Sequence, residues 1–133
     1  MSRFRKLIKR PRIWQFGLAV YWLSLLIATH IPGNIQSFQP SINDKVAHFF
    51  TFALLGALLT LTWAVPSGRL KLRHLLWAWL VLAVYGIIDE CTQPLVSRSA
   101  EMWDWVADVT GAGLGILLAA FIFHKLTNKR AHQ

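Results

Sequence analysis

Four long apolar stretches, separated by short polar segments, restrict the fold of this chain more than any other feature of its sequence. They lie at about residues 13–31, 46–65, 75–94 and 103–124. Each is close to the roughly 20 residues that an α-helix needs to cross a bilayer. Charged residues make up only 15% of the chain, against about a quarter in soluble domains, which is too few to cover a soluble surface. The sequence therefore predicts an all-α, polytopic membrane protein, a bundle of four transmembrane helices.

The segments between and beyond these stretches define the predicted organisation. Pro32-Gly33-Asn34 and Pro66-Ser67-Gly68 are typical of loops and are expected to end the first two spans. The predicted plan has a basic tail over residues 1–12, a four-helix membrane domain over 13–124 and a second basic tail over 125–133. Ala28-Thr29-His30 is not the small-residue motif of a signal-peptide cleavage site, so we expect the first span to be retained.

The basic residues mark one side of the predicted bundle. Twelve of the 14 Lys and Arg residues precede span one, separate spans two and three, or follow span four, and these segments share a side in a four-span protein. The positive-inside rule places that side, with both termini, in the cytoplasm. The net charge of +8 does not indicate nucleic-acid binding, because a binder of that class is polar as well as basic.

All the acidic residues lie on the opposite side, at the ends of spans two, three and four. They are Asp44, Asp89, Glu90, Glu101, Asp104 and Asp108. Only Lys45 and Arg98 balance them on that side. At about 1.5 Å per helical residue, His48, Asp89 and Asp108 are expected about 3–8 Å inside the apolar layer. Three helices are therefore predicted to bring polar groups to a similar depth.

Helical spacing aligns these polar side chains on shared faces. Residues three or four apart are neighbours on a helix surface, and Gly111 and Gly115 continue the acidic face of span four. Because small residues let a neighbouring helix pack closely, that face is predicted to point into the bundle, with the two glycines at helix-packing positions. The aligned sets are Asp44 with His48, Asp89 with Gln93, and Glu101 with Asp104 and Asp108.

A plainer interpretation stays open beside this one. Acidic residues at helix ends can be interfacial, Asp44 can simply cap a helix, and a glycine stripe can serve packing alone. Cys91 is interpreted as a small packing residue rather than a nucleophile. The other histidines are expected at interfaces or in the tails and receive no role: His30, His74, His124 and His132.

Three motifs occupy the acidic ends of the spans. They are Asp44-Lys45-Val46-Ala47-His48-Phe49, Asp89-Glu90-Cys91-Thr92-Gln93, and Arg98 followed by Asp104, Asp108, Gly111 and Gly115. In order and spacing, over residues 42–118, the chain resembles the VanZ-like family of small bacterial membrane proteins. One departure is Asp108, where the family commonly has Asn. The resemblance implies a multi-pass protein of the bacterial cytoplasmic membrane, linked to the cell envelope and to reduced sensitivity to lipoglycopeptides such as teicoplanin.

The first hypothesis for the acidic cluster is a catalytic or metal site. An oxygen-rich ligand set suits Mg²⁺, Ca²⁺ or Mn²⁺ better than Zn²⁺. The candidate oxygen ligands are Asp89, Glu90, Asp104 and Asp108, and His48 offers one nitrogen. The candidate catalytic residues are His48, Asp89, Glu90 and Asp104, with His48 or Glu90 as general base. The candidate substrate-binding residues are Lys45, Gln93 and Arg98, facing a lipid phosphate or a lipid-linked cell-wall intermediate. No hydrolase nucleophile motif is present, so any hydrolysis would use activated water.

Two other hypotheses need no reaction. The acidic cup can bind a cationic ligand, a lipid headgroup or a partner protein without catalysis. It can also be a buried network of ion pairs and hydrogen bonds that only fixes the bundle. Membrane lipids are the expected partners in each case, and both the enzymatic activity and the number of chains in the assembly are left open.

Overall fold

The computed structural model describes residues 10–31 and 44–128, and they form four long α-helices. These are α1 (Pro11–Thr29), α2 (Asp44–Ser67), α3 (Leu72–Thr92) and α4 (Met102–Asn128), with a 3₁₀ turn over Gln93–Val96 after α3. No strand occurs within the described residues. All four helices are long and apolar enough to cross a membrane. The predicted all-α membrane bundle is therefore confirmed.

The helix ends differ from the predicted spans by a few residues. The second span was expected to end before Pro66, but α2 continues through this proline to Ser67. The helix is ended instead by Gly68, whose φ of 60° is left-handed and whose N–H donates to Ala64 O at 3.0 Å. At the other end of the bundle, α1 stops at Thr29 and α3 at Thr92, each two residues short of its predicted end. The predicted turn at residues 32–34 and most of both basic tails lie outside the described residues.

Helices α2 and α4 form the tightest pair in the bundle, and glycines make their contact close. A Cβ added to Gly111 would overlap the backbone carbonyl of Phe49, and one added to Gly115 would overlap that of Ala53. Gly56 of α2 stands in the same relation to the carbonyl of Ala112. The two helices therefore touch backbone to backbone at these small residues.

The other two helices pack around this pair through aromatic side chains that reach across to backbone carbonyls. Tyr21 of α1 donates to Thr51 O at 3.0 Å, and Trp105 of α4 donates to Ala83 O of α3 at 3.0 Å. Phe52 and Leu82 are fully buried among the four helices. Large apolar side chains elsewhere on the helices face outward, as expected where the solvent is lipid. At one end of the bundle, α1 and α3 end and α2 and α4 begin. The shared core keeps these four helix ends close to one another.

Candidate functional site

The end of the bundle where α1 and α3 finish and α2 and α4 start collects the acidic residues of the described chain, and we call it the acidic end. Four of its carboxylates are almost fully removed from the surface: Asp89 at 1% exposure, Glu90 at 6%, Asp104 at 3% and Asp108 at 0%. Ionisable groups at membrane depth are costly to bury and mark functional sites by default. The candidate site is therefore inside the protein rather than on its rim.

His48 and Asp108 form the centre of this site, joining α2 to α4. Nδ1 of His48 lies 2.9 Å from Oδ1 of Asp108, and both side chains are buried. The other carboxylate oxygen, Oδ2 of Asp108, is buried without a hydrogen-bond partner among the described residues. Gly86 of α3 lies beside it, and a Cβ there would be 3.3 Å from this oxygen. An acceptor with unused capacity therefore lies in the protein interior.

Two groups of metal-ligating side chains share His48. Donor atoms of His48, Glu90 and Asp108 lie within 4.8 Å of one another, and all three residues are buried. A second group, also within 4.8 Å, joins His48 to Asp104 and to the exposed Asp44. Four of the six acidic residues predicted from the sequence therefore lie near His48 of α2: Asp44, Glu90, Asp104 and Asp108.

Asp89 belongs to neither of these groups, although it is next to Glu90 in the sequence. Its Oδ1 accepts a hydrogen bond from Thr29 Oγ1 at 2.8 Å, and its Oδ2 accepts one from Gln93 Nε2 at 3.3 Å. The predicted ligand set of four carboxylates is therefore divided. Glu90, Asp104 and Asp108 lie near His48, whereas Asp89 faces the end of α1.

Glu90 is held in place from two sides. Its Oε1 accepts from Gln93 Nε2 at 3.2 Å, and its Oε2 accepts from the backbone N–H of Glu101 at 2.9 Å. The second bond ties the end of α3 to the segment that leads into α4. Gln93, predicted to contact substrate, is in this structure 2% exposed and hydrogen-bonded to two carboxylates.

The two basic residues of the acidic end are paired within the protein. Lys45 Nζ donates to Glu101 Oε2 at 2.9 Å and to Asp104 Oδ1 at 3.1 Å. By this hydrogen bond and by its charge, the Lys45 ammonium lowers the pKa of the exposed Glu101 carboxyl. Their pairing is therefore present at neutral pH and is lost as the pH falls through that lowered pKa. Arg98 donates from Nη1 to the backbone oxygen of Thr29 at 3.2 Å, and its Nη2 lies 3.9 Å from Asp44 Oδ2.

Sequence reasoning missed the contribution of α1. Thr29 donates to the buried Asp89, and His30, which was given no role, lies with Nε2 2.9 Å from Thr92 Oγ1 and Nδ1 3.9 Å from Asp89 Oδ1. The available signal was position: Thr29-His30 is a polar pair at the same end of its span as the acidic motifs. Neither residue is acidic, so neither stood out in the charge pattern.

Charge decides what this arrangement can bind. Six carboxylates gather at the acidic end against one Lys and one Arg, and both bases are already engaged with protein groups. An anionic ligand would add to the excess negative charge, whereas a cation would compensate it. The geometry therefore favours a cation as the group that enters first.

Comparison with known proteins adds two similarities. The sequence profile of the family described as VanZ/LLP1 matches residues 5–124. An uncharacterised protein of fission yeast, Schizosaccharomyces pombe, is 33% identical over 110 residues, which are 81% of this chain and 64% of that protein. The chain thus spans less than two thirds of the length of this relative. No solved structure is significantly similar to the chain.

Proposed function

The chain belongs to the VanZ/LLP1 family, and from that premise and the geometry of the acidic end we propose that it is a multi-pass membrane protein that binds a divalent cation between His48, Glu90 and Asp108. The observation that carries the proposal is Oδ2 of Asp108, buried without a partner among the described residues in a group whose donor atoms lie within 4.8 Å of one another. A cation bound between these residues would be coordinated by this unpaired oxygen.

The energetics of burial support a cation at this place. A buried carboxylate is costly unless it is paired, hydrogen-bonded or bound to metal. Glu90 is hydrogen-bonded at both oxygens, but by neutral groups that carry no compensating charge. Among the described residues, Asp108 has only the imidazole of His48 as a hydrogen-bond partner. A divalent cation would balance the two carboxylates and use the donor atoms already gathered around it.

The donor types narrow the choice of cation. Ca²⁺ and Mg²⁺ take oxygen ligands, whereas an imidazole nitrogen with two carboxylates suits Zn²⁺ and Mn²⁺. This set differs from the one expected from the sequence, because it lacks Asp89 and Asp104, so the nitrogen of His48 is one of only three donors. We therefore propose Zn²⁺ or Mn²⁺ in preference to Mg²⁺ or Ca²⁺.

The biological role that fits such a centre is recognition of a phosphate-bearing lipid at the outer surface of a membrane. A bound cation can hold a phosphate oxygen, and the rim of the site carries Lys45 and Arg98. With the Lys- and Arg-rich segments inside, the acidic end faces outward and both termini are cytoplasmic. In a bacterial cytoplasmic membrane, a lipid-binding protein in this position could change the access of teicoplanin to the outer surface.

The fission yeast relative bears on the ligand. If the acidic end acts alike in both proteins, its ligand is a chemical class that a yeast also contains. A phospholipid phosphate meets this condition, and a lipid-linked intermediate of a bacterial wall does not. We therefore propose that the ligand is a phospholipid and that the protein binds it without catalysing a reaction.

The test is thermal unfolding of the purified protein in detergent with Zn²⁺, Mn²⁺, Mg²⁺ or Ca²⁺ and with a chelator. A ligand that binds only the folded state raises the Tm, so Zn²⁺ or Mn²⁺ should produce a saturable increase. Asp108→Asn should abolish the increase. Asp89→Asn, a matched change at a buried carboxylate outside the group, should keep it. The absence of any shift in the wild type would refute the cation site.

A structural network is the second candidate, and the pairing of Lys45 with Asp104 and of Arg98 with Thr29 favours it. These contacts join α2 to α4, and α1 to the segment between α3 and α4, at one end of the bundle. In that case no cation would change the Tm, and Asp108→Asn and Asp89→Asn would destabilise the protein to similar extents. The unfolding experiment therefore separates the two functions.

A further inference from the structure

A groove opens on the side of the bundle where α3 ends and α4 begins, and we call it the lateral groove. Its apolar lining comes from Ile87, Cys91, Ala100, Met102 and Trp105, and its volume is about 350 Å³. Such a volume falls within the roughly 300–1,000 Å³ of small-molecule sites. Ile87 and Met102 are 49% and 79% exposed, so the groove is part of the surface that faces lipid.

Glu90 connects the lateral groove to the proposed cation site. It lines the groove, and it also belongs to the buried group with His48 and Asp108. Glu90 is 6% exposed, and its Oε2 is tied to the backbone of Glu101, another residue of the groove lining. Only the Glu90 side chain therefore separates a molecule in the groove from the proposed cation site. Such a molecule can reach the groove from the lipid, without passing through the aqueous end of the bundle.

We propose, resting on the proposed function, that the lateral groove holds an acyl chain of a phospholipid whose phosphate binds the cation at His48, Glu90 and Asp108. The ligand enters sideways from the outer leaflet, keeping its chain in an apolar environment. The protein thereby recognises a phospholipid by two features at once, a phosphate and an attached chain.

Charge and surroundings support a phospholipid as the occupant. An acyl chain suits the apolar walls, and the molecules that surround a membrane-spanning bundle at this depth are lipids. A phosphate needs positive charge, which the cation supplies. A free phosphate would use the cation but would leave the groove without a role.

The experiment measures immobilised spin-labelled lipid around the protein in digalactosyldiacylglycerol bilayers, which contain no phosphate. The probes are phosphatidylglycerol and diacylglycerol with the same labelled chain, each with Zn²⁺ or with a chelator, since Zn²⁺ is diamagnetic. We expect several-fold more immobilised phosphatidylglycerol than diacylglycerol with Zn²⁺, and no such preference with the chelator. Added inorganic phosphate should not displace the labelled lipid at concentrations equal to those of the lipid.

Two variants fill the groove and one serves as the control. Ala100→Trp and Cys91→Phe place a large side chain in the lateral groove, and each should remove the phosphatidylglycerol preference while keeping the Zn²⁺-dependent increase in Tm. Val84→Trp puts a similar side chain on the lipid-facing surface of α3, where Val84 is 48% exposed and outside the groove lining. It should leave both properties intact.

The outcomes distinguish this inference from the cation site itself. A Zn²⁺-dependent Tm increase with an unchanged lipid preference in both groove variants would overturn the groove and leave the cation site standing. A lipid preference that persists with the chelator would overturn the coordination of phosphate by the cation. Loss of self-association in the groove variants, with no effect on lipid, would show that a second copy of the chain occupies the groove.

Discussion

His48 and Asp108 lie 60 residues apart in the sequence, yet Nδ1 of the histidine and Oδ1 of the aspartate are 2.9 Å apart in the interior of the bundle. The close contact of α2 with α4 makes this pair possible, because Gly111 and Gly115 bring the two backbones together directly below it. The relationship is asymmetric, since one carboxylate oxygen faces the imidazole and the other has no partner among the described residues. The arrangement thus provides a histidine already oriented and a carboxylate with coordination capacity left.

The first prediction decides which of the two groups around His48 binds the cation. Asp108→Asn should weaken Zn²⁺ binding by at least about tenfold. Loss of a residue that only orients a metal ligand typically lowers metal affinity by about 10–100-fold, and loss of a direct ligand should lower it by at least as much. Asp104→Asn should change the affinity far less. Isothermal titration of the detergent-solubilised protein measures both constants.

The opposite ranking of the two variants' Zn²⁺ affinities would assign the cation to the other group of residues around His48. If Asp104→Asn abolishes binding and Asp108→Asn does not, the cation lies between Asp44, His48 and Asp104. His48→Gln is the common control for these titrations, because His48 belongs to both groups and its loss should weaken binding in either case.

A second prediction concerns the glycines between α2 and α4. Gly115→Ala should destabilise the bundle by about 1–3 kcal/mol, the usual range for overpacking, because the new Cβ would overlap the carbonyl of Ala53. Gly113→Ala on the same helix is the matched control, since its Cβ would meet only the Trp79 ring, at 3.5 Å. Unfolding in detergent measures the difference, and equal stability of the two variants would contradict the close helix contact.

Much of this fold could be predicted, because the hydropathy and the length of each span can be read from the sequence without knowing how the helices pack. Four apolar stretches of membrane length predict four helices in any packing arrangement. The gathering of acidic residues at one end also follows from the sequence, because spans that alternate in direction put the start of α2, the end of α3 and the start of α4 at one level. Helical spacing further predicts that Asp104 and Asp108 share a face.

The division of the site could not be predicted, because it depends on which helix each face meets. Asp89 and Glu90 are consecutive, so their side chains project about 100° apart around α3. Asp89 consequently meets Thr29 of α1, whereas Glu90 turns towards His48. The two residues are adjacent in the sequence and lie at nearly the same depth, so neither property separates their roles. Only the positions of α1 and α2 around α3 determine which partner each side chain meets.

A third prediction tests the contribution of α1, which sequence reasoning missed. Thr29→Val keeps the shape of the side chain but removes the O–H that donates to buried Asp89. The loss should destabilise the protein by about 1–3 kcal/mol, because the carboxylate is left with an unsatisfied oxygen. Thr29→Ser should restore most of the stability in the same unfolding measurement. Zn²⁺ affinity should be unchanged in both variants, and a large decrease would place Asp89 back in the cation site.

The last prediction uses the unequal burial of the two partners of Lys45. Its Nζ bonds both to Glu101, whose side chain is 49% exposed, and to Asp104, whose side chain is 4% exposed. Lys45→Met should lower the Tm clearly, because the buried Asp104 would lose its cation and water cannot replace it. Glu101→Gln should change the Tm little, since an exposed pair contributes weakly. In the double variant Lys45→Met, Asp104→Asn the Tm should rise above that of Lys45→Met alone, because the unpaired buried charge is gone. If Glu101→Gln instead proves the more damaging single change, the exposed half of the contact is the one that stabilises the acidic end.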